Sequence, residues 1–429
     1  MSEGIEIKRQ IEDLIKEIFF VMKSKVEFVP GKTRIPLVAP SYDWEEVVEA
    51  LDSLLSTQVT MGQKVKQFES MFAEYIGVRH AVMVHSGSSA NLLALSILIN
   101  PFLENRIKQG DEVITPAVTW ATTVWPIINC GAVPVLVDVD LETFNINTEE
   151  IKKAITDKTR AIMPVHLLGN PCDMDRIMEI ANKHNLYVIE DACEAHGAEF
   201  NGRKVGSFGD LATFSFFFSH HISTVEGGIV LTNNEEFAEL AKALRVFGWV
   251  RDMKNNDEIA EKHRDIDPRY LFVNIGYNFR PTEMQGAFGI HQIKKLDKFV
   301  ELRQENTKFF IDNLKQYKDY FLLHEEREGT KHVWFACPIT VQPDAPFTRK
   351  ELVDFLEEKN VETRPIMSGN IDEQPAMKLF SHRKVGDLPN SRLIMRNSFF
   401  FGNHHGIRKE EREAIISYIS EFISMHAKS

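Results

Sequence analysis

Cysteine is scarce in this 429-residue chain: Cys130, Cys172, Cys193 and Cys337 are the only four, and no two form a C-x-x-C pair. Such spacing offers neither a zinc ribbon nor an iron–sulfur ligand run, so no metal is expected. A chain this long has no need of disulfides either, and reduced thiols in the cytoplasm are the expectation. Long apolar runs are missing too. The longest near the N-terminus, IFFVM at residues 18–22, falls far below the roughly 20 residues of a membrane span, and it lacks a signal-peptide cleavage pattern. Basic charge is in deficit: 50 Lys and Arg against 62 Asp and Glu give a net charge of −12. A broad nucleic-acid or anionic-membrane surface needs the opposite balance, although a local phosphate pocket does not.

What is present is an ordinary globular composition, 43% hydrophobic and 26% charged, long enough for more than one core. Ile7, Ile11, Leu14, Ile15, Ile18 and Met22 recur at helical spacing. They predict an amphipathic opening helix that docks on the main body or on a partner subunit. PGKTRIPLVAP then breaks it with three prolines. From about residue 40 to 230, the strand candidates AVMVH, DEVITP, VPVLVDVD, RAIMPVHLLG and LYVIEDA alternate with helical patterns. The alternation predicts an α/β fold with a mostly parallel sheet flanked by helices. NEEFAELAKALRVFGW reads as a helix, and a periodic stretch from residue 283 to about 316 reads as the bridge to a smaller C-terminal α/β domain. The expected organisation is an extension over residues 1–35, a large domain over 36–300 and a small domain over 301–429.

Four short motifs carry candidate chemistry, and each has a bland alternative. HSGSSANL places Gly87, Ser88 and Ser89 between a strand and a helix. Backbone N–H groups and hydroxyls there make a phosphate cradle, or simply a capped helix. PAVTWATTVWP sets Trp120 just past a strand end, where an indole stacks on a flat ligand or fills core. VIEDACEAHGA ends a strand with Asp191 and, three residues on, Glu194. A carboxylate there accepts a hydrogen bond from a protonated ring nitrogen, or caps a helix. FSFFFSHHISTVEGG follows, with His220 and His221 and no lysine.

Taken in order, these motifs resemble the fold-type I pyridoxal-phosphate enzymes, and among them the sugar-nucleotide aminotransferase family. The resemblance covers about residues 35–429. It includes VTMGQKVKQFE, SGSSANL, RAIMPVHLLGNPCDMD, EDACEAHGA, GSFGDLATFSF, GYNFRPTEMQGA and RPIMSGN. The family carries its covalent lysine after FSF, where this chain has His220. Lys204, in NGRKVGSFGD, lies in a turn that family members share and is no displaced substitute. The chain therefore resembles the lysine-less 3-dehydratase branch. One type in that branch adds a cysteine-held iron–sulfur cluster and a reductase, and residues 249–270 here have no cysteine. TMGQKV, PAVTWATT, SHHISTVEGG and GNHH are closer to the cluster-free type acting on a GDP-linked 4-keto-6-deoxymannose for colitose-like O-antigen sugars. The N-terminal extension is more similar to the cluster-bearing type.

The resemblance implies pyridoxal 5'-phosphate and pyridoxamine 5'-phosphate as cofactor forms, a nucleotide-sugar substrate and L-glutamate as amino donor. It implies that Gly87, Ser88, Ser89 and Ser215 hold the phosphate, with Asn278 arriving from the second subunit of a homodimer. Trp120 stacks on the ring, Asp191 meets its nitrogen and Glu194 its hydroxyl. His220 is the base, with His221 as the alternative; His166, His221, Arg364 and His404 are candidate pocket residues. Competing readings are a dehydratase for another sugar nucleotide such as a CDP-sugar, an aminotransferase, and a non-catalytic relative. The retained Asp191, Trp120 and cradle argue against the last.

Overall fold

The computed structural model describes residues 2–23 and 27–426. The alternating signals of the first half become β1 (His80–Val84), β2 (Glu112–Pro116), β3 (Val133–Val137), β4 (Thr159–Ile162) and β5 (Tyr187–Asp191). A hairpin, β6 (Glu199–Phe200) and β7 (Arg203–Lys204), leaves the sheet, and the chain returns as β8 (Leu211–Ser215) and β9 (Gly228–Thr232). Every position of β2, β8 and β9 is buried. Such continuous apolar strands need helices on both faces. One face is covered by helices Gly87–Leu98 and Glu235–Arg245. The other is covered by helix Gln63–Ile76 and the first half of Glu283–Leu314.

The second half supplies β10 (Phe321–Leu323), β11 (Thr330–Lys331), β12 (Cys337–Val341), β13 (Thr363–Pro365), β14 (Arg383–Lys384) and β15 (Ser398–Phe401). Four of these form an antiparallel sheet in the order β10-β12-β15-β13. Its core gathers Phe310, Phe321, Ile339, Phe399, Ile415 and Phe422. The long helix begins at a capping box between Thr282 and Gln285 and ends with Phe310 and Leu314 in that second core. It thus bridges the two sheets. β14 instead returns to the first sheet, pairing parallel with β3. Helix Ser2–Lys23 lies on helix Trp44–Leu55 through Lys8–Asp52 at 2.9 Å and Lys16 over the Trp44 ring.

The large sheet runs β1-β9-β8-β5-β4-β2-β3-β14. Only β9 opposes its neighbours, so β1, β2, β4, β5 and β8 all end at one edge. RAIMPVHLLG departs from the expected strand: β4 stops at Ile162, and Leu167–Gly169 is a 3₁₀ turn with Leu168 at φ 53°. Pro164 lacks an N–H to continue the ladder, and the turn carries the chain over the sheet edge.

Candidate active site

Because the parallel strands end together, their following residues meet. Ser86, just past β1, caps helix Gly87–Leu98 by accepting the Ser89 N–H at 3.1 Å. Gly87 is required by a neighbour: a Cβ there would come within 2.4 Å of Ser215 Cβ at the end of β8. The absent side chain lets the Ser215 hydroxyl sit against the helix N-terminus, where free N–H groups and the helix dipole favour an anion. Ser88 is exposed on that first turn and Ser89 is buried. His85 Nδ1 lies 3.2 Å from Ser89 Oγ.

Asp191 ends β5 at 5% exposure. Asn91 Nδ2 and Thr123 Oγ1 donate to its Oδ2 at 2.9 and 2.8 Å, and the Cys193 N–H donates to Oδ1 at 3.2 Å. Three donors from three segments fix the carboxylate's direction. Trp120 precedes helix Ala121–Asn129 and is 57% exposed. It is therefore not core, and its face is open to a ligand. The segment after β13 reaches this edge too: the Ser368 hydroxyl donates to the Thr119 carbonyl. Glu194 accepts the Leu168 N–H at 2.8 Å. Burial, with the Asp191 charge nearby, pushes its carboxyl up to about 8, so at neutral pH it is mostly protonated.

Two adjacent histidines occupy different environments. The His221 ring is fully buried, and its Nε2–H donates to the Val333 carbonyl at 2.9 Å. His220 is only partly buried, and among the described residues its ring has no hydrogen-bond partner. It rests edge-on against Phe335 with ring centres 5.4 Å apart, and its ring centre lies 6.1 Å from that of His196. Burial first, then the charge of Arg303, pushes the imidazole down to about 3. His220 is thus a neutral ring with an uncommitted lone pair. Lys204 pairs with Glu199 at 3.2 Å and lies over the Tyr75 ring.

The other expected residues have the following surroundings. His166 is fully buried: the Cys172 N–H donates to Nδ1 at 3.0 Å and Nε2–H donates to Glu190 at 3.1 Å. Both its ring nitrogens are thus bonded within the framework. His404 is likewise bonded at both ring nitrogens. Its Nε2–H donates to the Pro36 carbonyl at 3.1 Å and its Nδ1 accepts the Gly406 N–H at 3.2 Å. Arg364 is exposed on β13 and pairs with Glu362 at 3.4 Å. Asn278 is exposed, its Oδ1 accepting from Arg280 Nε at 3.0 Å.

Several site residues escaped the sequence reading. Asn91 orients Asp191, and its signal was a lone amide in the buried run ANLLALSIL, where a polar group must find a partner. Arg303 carried a similar signal, a charge in the buried register of Leu296, Val300, Thr307 and Phe310. Among the described residues no cluster of His, Cys, Asp or Glu is placed to hold a metal ion. No helix there is long and apolar enough to cross a membrane.

Known proteins share this arrangement. The chain is 40% identical over 374 residues to the GDP-4-keto-6-deoxy-D-mannose 3-dehydratase of Yersinia pseudotuberculosis, covering 86% of this chain and 94% of that protein. It is 39% identical to the dTDP-4-dehydro-2,6-dideoxy-D-glucose 3-dehydratase of Saccharopolyspora spinosa over 92% and 88% of the two chains. A crystal structure of GDP-4-keto-6-deoxymannose-3-dehydratase with a trapped PLP–glutamate geminal diamine superposes with a TM-score of 0.83 at 36% identity. It covers 89% of this chain and 99% of that one. With residues 40–420 matching throughout, the chain belongs to the DegT/DnrJ/EryC1/StrS aminotransferase family.

Proposed function

We propose that this chain is a pyridoxal/pyridoxamine-phosphate-dependent lyase, a GDP-4-keto-6-deoxy-D-mannose 3-dehydratase that uses L-glutamate. The pairing of a rigidly oriented Asp191 with His220 in the lysine position carries the reading. The residues fit the cofactor. The capped helix turn with Ser215 suits its phosphate, the open Trp120 face its ring, and Asp191 its ring nitrogen. When bound, such a cofactor supplies an amine for a ketone carbon and an electron-poor ring that accepts charge.

The protein's own groups do the rest. Asp191 keeps a hydrogen-bond acceptor aimed at one fixed point. Glu194, protonated at neutral pH, is a donor toward an oxygen. His220 takes a proton on its free ring nitrogen and returns it, and it cannot bond covalently to an aldehyde as a lysine would. The phosphate and diphosphate that enter with the ligands raise its affinity for that proton toward the neutral range where base work is efficient. Glutamate supplies the amine and two electrons. Per turnover, sugar and glutamate become 3-deoxy-4-keto sugar, 2-oxoglutarate and ammonia, which balances.

The same reading includes a homodimer in which Asn278 completes the neighbour's phosphate site, and a cytoplasmic setting that keeps Cys130 and Cys193 reduced. It divides the chain into an extension over residues 1–35, a cofactor-binding domain over 36–300 and a small domain over 301–429. The test incubates purified protein with glutamate and GDP-, CDP- and dTDP-linked 4-keto-6-deoxy sugars, followed by mass spectrometry. Loss of the C3 hydroxyl from the GDP sugar, with equal 2-oxoglutarate and ammonia, is expected. An amino sugar as product, or turnover confined to another nucleotide, overturns it.

A further inference from the structure

Arg303 is 4% exposed on the long helix, and no carboxylate pairs with it among the described residues. Its Nη1 donates to the Phe335 carbonyl at 2.8 Å and to the Asn403 carbonyl, and its Nε has no partner. Asn403 in turn donates to the Trp334 carbonyl at 2.9 Å. A buried cation without a counter-charge is expensive, and an apolar side chain of similar volume is often better for stability. Stability alone therefore gives no reason for an arginine here.

Its neighbours supply one. Phe335, which it holds directly, and Trp334, held through Asn403, belong to the segment that forms the wall of the histidine loop. Phe335 packs against both His220 and His221, and the Val333 carbonyl accepts from His221. We propose that Arg303 is a positioning residue for His220: its hydrogen bonds to the Phe335 and Asn403 carbonyls fix the wall against which the imidazole rests and set an unpaired cation behind that wall. Around His220, the long helix contributes Arg303, the segment after β5 contributes His196, and the loop itself contributes His221. Glu194 on that β5 segment is turned to the Leu168 N–H. On the Phe335 segment, His332 stacks on Trp334 at 3.6 Å. None of these elements brings a carboxylate to the His220 ring to offset the arginine. The inference rests on His220 as the proton acceptor of the proposed reaction.

The test is nitrogen NMR of the full chain with labelled histidine and added pyridoxamine phosphate, the His220 signal being assigned by its loss in His220→Asn. The wild-type ring should be neutral at about pH 6, where an ordinary histidine of midpoint about 6.5 is mostly charged. Arg303→Met should raise the His220 midpoint by about one pH unit, the scale of one charge acting through an effective dielectric of about 20. The acid limb of kcat/KM should move with it. Arg303→Lys keeps the charge and should restore both. An unmoved midpoint in folded Arg303→Met overturns the proposal. Should that variant not fold, Arg303→Gln, which also removes the charge, takes its place, and an unmoved midpoint there overturns the proposal. The activity of His220→Asn tests the catalytic reading separately, because the titration reports the coupling whether or not His220 is the base.

Discussion

Replacing His220 and His221 by Asn, one at a time, separates rate from stability. The His220 ring is partly exposed and, among the described residues, has no hydrogen-bond partner, so its replacement by Asn leaves no buried group bare and gives up only edge contacts with Phe335 and Phe217. Its destabilisation should stay near about 0.5 kcal/mol, as at other sites free of special contacts. General-base removal should lower turnover about 10²–10⁴-fold. His221 is the reverse case. Its ring is fully buried and satisfies the Val333 carbonyl, which a shorter Asn side chain leaves bare. An unsatisfied buried group costs about 1–3 kcal/mol, and the small void beside Phe335 adds about 1 kcal/mol. With an unfolding entropy of about 2.1 cal/mol/K per residue, the total of about 2–4 kcal/mol lowers the melting temperature of a chain this long by about 2–4 °C if it melts as one unit. Ammonia release measured beside calorimetry reads both effects. A His220→Asn enzyme at wild-type rate, with His221→Asn inactive at an unchanged melting temperature, would show that the base is the other histidine.

Further outcomes follow from the same geometry. Borohydride treatment of the loaded protein, then denaturation, should leave no pyridoxyl group on the chain, whereas His220→Lys should gain a covalent adduct and a visible absorbance band; an adduct on the wild type refutes the lysine-less site. Glu194, with its carboxyl pushed up to about 8 by burial, retains in the native state a proton that the unfolded chain releases near about 4.3. Native stability contributed by the neutral carboxyl is therefore lost as pH rises across that window, and Glu194→Gln should flatten the fall in melting temperature between about pH 5 and pH 8; equal slopes in both proteins count against the shift. Sedimentation should find active enzyme only as a dimer, with Asn278→Ala weakening cofactor binding; a fully active monomer contradicts the shared site.

The linear order of residues was enough for the α/β layering, because alternating apolar runs and helical periods are local. It also placed Asp191, Trp120 and the serine turn at strand ends, and parallel strands end together. The gap in FSFFFSHH was legible for the same reason: a missing lysine is visible without any contact. What the histidines do was not. His220 and His221 are neighbours in the chain, and only the Val333 carbonyl, 112 residues away, distinguishes the locked ring from the free one. The His404 ring finds its partner, the Pro36 carbonyl, across 368 residues. His166 was claimed by Glu190 and the Cys172 amide inside the framework. The role proposed for Arg303 rests on the Phe335 and Asn403 carbonyls, 32 and 100 residues away, and on the lack of a carboxylate partner among the described residues. A histidine's or arginine's chemistry is decided by burial and by which donors, acceptors and charges surround it, and in this fold those partners arrive from distant segments that only the tertiary structure brings together.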